Sequence, residues 1–130
     1  MDGKPITIRL LDPPLHEFLP HSPEDIATLS EHIGKPVAHI EKAVNDLKEV
    51  NPMLGLRGCR LSIVHPEITE MQVRAIISAA VAATEEGYHP LPEIMIPLVV
   101  NVREIRMISE IIDRGIHSVM KEKTLSIRYK

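Results

Sequence analysis

Two arginines, Arg9 in "TIRLLD" and Arg57 in "NPMLGLRGCR", carry the strongest chemical suggestion in the chain. A guanidinium stays charged and presents its N–H donors as a fork that matches phosphate oxygens. Two of them converging would hold a phosphoryl group and stabilise charge during its transfer. The stretch from Asn51 to Arg60 also contains Pro52, Gly55, Gly58 and the only cysteine, Cys59. Its turn residues predict a loop, and the glycines flanking Arg57 allow close backbone approach to a ligand. The bland alternative is that both arginines make surface salt bridges. Asp12, which closes "TIRLLD", and Cys59 are possible near-site residues. A lone buried cysteine is more often a small hydrophobe.

Other candidates weigh less. Arg60 has opposite strand parity to Arg57 and is read as a salt-bridge residue. No pair among the seven histidines has convincing zinc spacing. His16 and His21 flank a proline-rich loop and read as polar loop residues, and Glu85 and Glu86 as a solvated helix end. Neither a P-loop nor a GxGxxG is present, which removes those two nucleotide cradles.

Elements must position these side chains. In "KPITIRLLDPP", Ile6, Ile8 and Leu10 alternate with Thr7, Arg9 and Leu11, which predicts a strand stopped by Pro13 and Pro14. "LHEFLPH" reads as irregular. Ser22, Pro23 and Asp25 form a capping-box start for a helix with an Ile26, Leu29, Ile33 stripe, stopped by Gly34. Pro36 opens a second helix with Val37, Ile40, Val44 and Leu47 on one face. "CRLSIV" reads as a short second strand. A long helix follows from Pro66 to Gly87, apolar nearly all round from Ala75 to Ala83 and so expected to be well buried. "PEIMIPLVV" is a continuous apolar run, as expected of a parallel strand covered on both faces. Asn101 and Glu104 start a last helix with Ile105, Ile108 and Ile112 inward, ended by Gly115, and "TLSIRYK" reads as a fourth strand.

This alternation predicts the α/β class: a partial (β/α)8 TIM barrel of about four parallel strands with intervening helices. Residues 1–130 are expected to form a single partial barrel domain, with a helical insertion at about 22–50 between the first two strands. A small open sheet is the alternative. The chain starts and ends in predicted strands, so an excised part of a larger barrel is expected. Ligands of parallel α/β folds gather at the carboxyl ends of strands. Arg9, opposite the Ile6/Ile8/Leu10 row, would point into the barrel mouth, and Arg57 on the neighbouring strand would meet it there.

Composition bounds the function. The 130 residues are 44% hydrophobic, enough for a real core, yet only 2% aromatic. That argues against a stacking platform for single-stranded nucleic acid. A net charge of −3 with no basic block gives no reason to expect duplex binding. One cysteine, no signal-like apolar start and no membrane-length apolar run lead to the expectation of a soluble cytoplasmic protein, with no nucleic-acid or membrane partner.

The segments "TIRLLDPPLHEFLP", "NPMLGLRGCRL", "HPEITEMQVRAI" and "PEIMIPLV" together resemble the pyruvate, phosphate dikinases, members of the phosphoenolpyruvate (PEP)-utilising enzymes. The resemblance covers nearly the whole chain in order. Enzyme I of the sugar phosphotransferase system shares the "IR.LD" and "NP.LG.R" skeleton but not "DPPLHEF" or "RGCR". The resemblance implies a barrel domain that binds PEP or pyruvate with magnesium. There a phosphohistidine on a separate swivelling domain exchanges its phosphoryl group with pyruvate. The overall reaction would interconvert ATP, phosphate and pyruvate with AMP, pyrophosphate and PEP. Arg9 and Arg57 match the family's phosphate-binding arginines. Leu56 stands where histidine is expected in many relatives. The family's magnesium-binding Glu, its Asn-Asp pair and its proton-donating Cys belong to motifs beyond "LSIRYK". On that reading Cys59 is not the acid, no residue here is a metal ligand and no histidine here is the phosphorylated one. The chain alone is then expected to be inactive and to self-associate. The alternative function is a non-enzymatic α/β module that pairs through open sheet edges.

Overall fold

The structure, a computed structural model, describes residues 2–48, 51, 55–124 and 127–129; the side chain of His16 lies outside that description. The elements run β1 (Pro5–Arg9), a 3-10 turn (Leu15–Phe18), α1 (Pro23–Ile33), α2 (Val37–Leu47), α3 (Gly58–Val64), α4 (Pro66–Glu85), β2 (Leu91–Met95) and α5 (Val102–Lys123). Contacts divide the chain into two compact units: residues 1–12 with 58–130, and residues 13–57.

The first unit is built on a parallel pair, β1 with β2, in the register Ile6↔Pro92, Thr7↔Glu93, Ile8↔Ile94 and Arg9↔Met95. Side chains alternate across a strand. The Leu10, Ile94 and Ile96 side therefore meets the helices, and Leu10 is fully buried in the core they share. α4 and α5 pack against each other and supply most of that core through Val73, Ile77, Val81, Ile108, Ile112, Ile116 and Val119. Thr7 donates to Glu93 Oε2 at 2.8 Å on the opposite face, which also carries Arg9 and Met95.

Both predicted capping boxes form. Ser22 Oγ accepts from Asp25 N and Asp25 Oδ2 from Ser22 N. Asn101 Oδ1 accepts from Glu104 N, and Glu104 Oε2 from Asn101 N. Gly34 ends α1 at φ +65°, as predicted, and Gly87 follows α4 at φ +91°.

Five expectations are corrected. "CRLSIV" is helix α3, not a strand: its buried residues are Gly58, Cys59, Leu61 and Ser62, the spacing of one helical face rather than alternate positions. The neighbour of β1 is accordingly β2, and two strands stand among the described residues instead of four. Residues 127–129 are described without strand structure, although Ile127 is buried in the core; Leu125, Ser126 and Lys130 of the predicted last strand lie outside the described residues. α5 does not stop at Gly115. Its stripe Ile108, Ile111, Ile112, Gly115, Ile116, Val119 runs unbroken, and Gly115 lets α4 come close, since a Cβ there would lie 3.1 Å from Val73 Cγ1. Ile105, expected inside, is 44% exposed.

Two burial expectations also change, and one local one. α4 is buried on one face only, with Ala75, Ala79 and Ala82 exposed. β2 is covered on its helix side, while Met95 on the other is exposed. "LHEF" within the segment expected to be irregular forms the 3-10 turn.

In the second unit, α1 packs on α2. Their apolar stripes are real but thinly covered: Ile40 is buried, whereas Leu29, Ile33, Val37 and Leu47 are exposed. Pro52, Met53 and Leu54 of the predicted turn lie outside the described residues.

Candidate functional site

Parallel pairing puts the carboxyl ends of β1 and β2 side by side, and the last ladder contact is Leu10 N donating to Met95 O at 3.0 Å. Arg9, the final residue of β1, projects from the face opposite Leu10, and its side chain is 62% exposed. Asp12 is three residues on and buried. Its Oδ2 lies 3.7 Å from Arg9 NH1, an ion pair that steers the guanidinium from one side. With one side of the fork facing Asp12, the rest of this largely exposed group can engage an anion.

Gly58 sits against the same corner at φ +53°. A Cβ on it would lie 3.0 Å from Asp12 Oδ1, 3.2 Å from Pro97 O and 3.2 Å from Leu98 Cδ1. Only glycine meets both demands, a left-handed backbone and no side-chain volume. Cys59 N donates to Pro97 O at 3.0 Å, fastening the start of α3 to the segment after β2. Leu98 is itself at φ +56°, a conformation costing a non-glycine residue on the order of 1–3 kcal/mol. A left-handed glycine and a strained left-handed leucine thus meet beside Asp12, where the packing holds them.

The near-site residues part company. Asp12 joins Arg9 and Gly58. Cys59 turns inward: it is fully buried in the core, and burial, with the Glu104 carboxylate beside it, pushes its thiol up to about 11. It is therefore a protonated core group at neutral pH and not a nucleophile. Arg57 is the last residue of the second unit, one peptide bond before Gly58. Because α3 is helical, the strand parity that set Arg60 apart from Arg57 does not apply.

Sequence reasoning passed over Gln72 of α4. Its Oε1 accepts from Leu11 N at 2.9 Å and its Nε2 donates to Arg9 O at 3.1 Å. No local signal marks it, since α4 carries several polar residues. A groove of about 230 Å³ lined by Pro5, Leu91, Pro92, Glu93, Arg128 and Tyr129 lies toward the amino ends of the strands, away from the Arg9 corner. Among the described residues no cluster of three His, Cys, Asp or Glu could hold a metal ion, so none is assigned as a ligand. No helix among them is long and apolar enough to cross a membrane.

The chain resembles known proteins over nearly its whole length. The family model described as PEP-utilising enzyme, PEP-binding domain, matches residues 1–129. The chain is 51% identical over 130 residues to pyruvate, phosphate dikinase of Giardia intestinalis, covering 100% of this chain and 15% of that protein. Against pyruvate, phosphate dikinase of Clostridium symbiosum it is 44% identical over 130 residues, covering 99% of this chain and 15% of the relative. The chloroplastic pyruvate, phosphate dikinase of Flaveria trinervia is 48% identical over 132 residues, with 100% of this chain and 14% of the relative covered. The chain thus spans a small part of the length of the curated relatives it matches. It belongs to the PEP-utilising enzymes and falls within their PEP-binding domain.

Proposed function

We propose that this chain is part of a pyruvate, phosphate dikinase and carries the phosphoryl-binding portion of its PEP/pyruvate site, with Arg9 and Arg57 gripping the phosphate. The observation that carries the reading is Arg9: an exposed cation at the carboxyl end of a parallel strand, on the face opposite Leu10, steered by buried Asp12. That is the end of a parallel sheet where ligands bind. A guanidinium there favours a phosphate dianion in the ground state and the charge that develops when the phosphoryl group moves.

In the whole enzyme the sheet would belong to a complete (β/α)8 barrel. Pyruvate would receive the phosphoryl group from a phosphohistidine on another domain, within the interconversion of ATP, phosphate and pyruvate with AMP, pyrophosphate and PEP. No magnesium ligand is assigned among the described residues. The ligands of that metal would lie elsewhere in the parent, and no step is routed through it. Arg9 and Arg57 orient the phosphate, and Asp12 holds Arg9. The 130-residue chain by itself binds PEP weakly and turns nothing over.

Calorimetric titration of the chain with PEP, repeated for Arg9→Ala and Arg57→Ala, tests this. Each substitution is expected to weaken binding at least tenfold, about 1.4 kcal/mol. Equal affinity in all three would remove the phosphate grip.

A second reading, an α/β module that self-associates through sheet edges, rests on β1 and β2 having no further strand partner among the described residues. Such edges invite pairing. Sedimentation at dilute concentration distinguishes the outcomes: a concentration-dependent dimer supports edge pairing, and a stable monomer removes it.

A further inference from the structure

We infer that Gln72 is a positioning residue for the anion site, acting through the backbone of β1 to set Arg9 and Asp12; the inference rests on the phosphoryl-binding reading of Arg9. Leu10 N–H is engaged by Met95 O on the β2 side. In a strand, successive residues turn their backbone groups to opposite edges, so Arg9 C=O and Leu11 N–H face the other edge. Both are met there by one carboxamide: Gln72 Nε2 donates to Arg9 O at 3.1 Å and Gln72 Oε1 accepts from Leu11 N at 2.9 Å.

One residue of a parallel neighbouring strand bonds in the same pattern, donating to one carbonyl and accepting from the N–H two residues on. Gln72 thus stands in for a strand at the point where β1 ends. The backbone is fixed from both edges across Arg9, Leu10 and Leu11. Immediately beyond, Asp12 is held against Gly58 and pairs with Arg9.

Gln72 itself is carried by α4 next to Val73, which is fully buried in the α4–α5 core. The position of the guanidinium is in this way referred to the buried core of the first unit. An unsatisfied carbonyl and N–H at the strand end would otherwise cost free energy or recruit water. The guanidinium would then sample several positions and lose affinity through the entropy of ordering it on binding.

The test is a double-mutant cycle on the 130-residue chain with Gln72→Leu, which keeps the volume and removes both hydrogen bonds. PEP affinity is measured for the wild type, Gln72→Leu, Arg9→Ala and the double variant, and backbone amide exchange is followed by NMR. Expected are a loss of fivefold or more in PEP affinity for Gln72→Leu, little further loss in the Arg9→Ala background, and at least tenfold faster exchange at Leu11 with Val73 and Ile77 unchanged. A purely structural role would lower affinity equally in both backgrounds, which would overturn the inference. Unchanged affinity with unchanged Leu11 exchange would overturn it too. If Arg9→Ala binds PEP as tightly as wild type, the phosphoryl reading is what fails. Gln72 is then judged on its own by Leu11 exchange and by relaxation of the Arg9 Nε–H: faster motion upholds its hold on the strand end, and no change rejects it.

Discussion

The two units use the same grammar to different ends. α1 and α2 in the second unit and α4 and α5 in the first all show apolar residues at helical spacing and start with well-formed signals. Yet α1 has no buried residue and α2 has one, Ile40, while α5 buries six on a continuous stripe. Pattern fixes which face of a helix is apolar. What covers that face depends on long-range partners, here the β1–β2 sheet and the reciprocal stripe of α4. The first unit has both, and it holds Arg9, Asp12, Gly58 and Gln72 on one frame.

Truncation of core residues should separate the units most. Ile77→Ala, at a fully buried position, is expected to cost about 2–5 kcal/mol, and Ile33→Ala, at a position 49% exposed, under about 0.5 kcal/mol. Urea unfolding of the two variants would show it; equal costs would break the contrast. The left-handed glycines sharpen it next. Gly58→Ala meets Asp12 Oδ1 and Pro97 O and should cost about 1–3 kcal/mol. Gly34→Ala, with nothing within 4 Å, should cost only about 1 kcal/mol. Gly58→Ala should also disturb PEP binding through Asp12, and Gly34→Ala should not.

The caps give the smallest effects. Ser22→Ala and Asn101→Ala are each expected to cost about 1 kcal/mol, the first local to the second unit and the second felt by the whole first unit. The Asn101 box is also pH-dependent. Hydrogen bonds from Val100 N and Asn101 N hold the Glu104 carboxyl below the usual glutamate range. A carboxyl with a lower value folded than unfolded contributes stability that is fully present above its unfolded value and lost as pH falls through the folded one. Thermal melts of wild type and Glu104→Gln should therefore converge below about pH 4; a gap independent of pH would contradict the assignment.

Much of this was legible locally. The capping boxes, Gly34, the β1 alternation that sends Arg9 away from Leu10, and the strand character of "PEIMIPLVV" follow from short-range chemistry, whereas its pairing with β1 does not. The failures share a cause. "GCRLSIV" is seven residues of apolar-rich chain, too short for periodicity to separate helix from strand. Its helical face shows only once Asp12, Pro97 and Leu98 are seen crowding Gly58. Gly115 looked like a stop because glycine ends helices, but the stripe through Ile116 and Val119 continued past it, and close approach of Val73 is what uses the missing side chain. At the site, Asp12 was singled out within its motif, and the direction of Arg9, away from Leu10, was legible from strand parity. Gln72 was not, because its role needs a contact between residues 61 and 63 positions apart in sequence.

The central proposal is that Arg9 and Arg57 both serve as phosphate-binding residues. Its most direct test is PEP affinity across the cycle of wild type, Arg9→Ala, Arg57→Ala and the double variant. Shared contact with one anion predicts a coupling free energy of about 1 kcal/mol or more between the two sites. Strictly additive losses, or no loss from either single change, would contradict it.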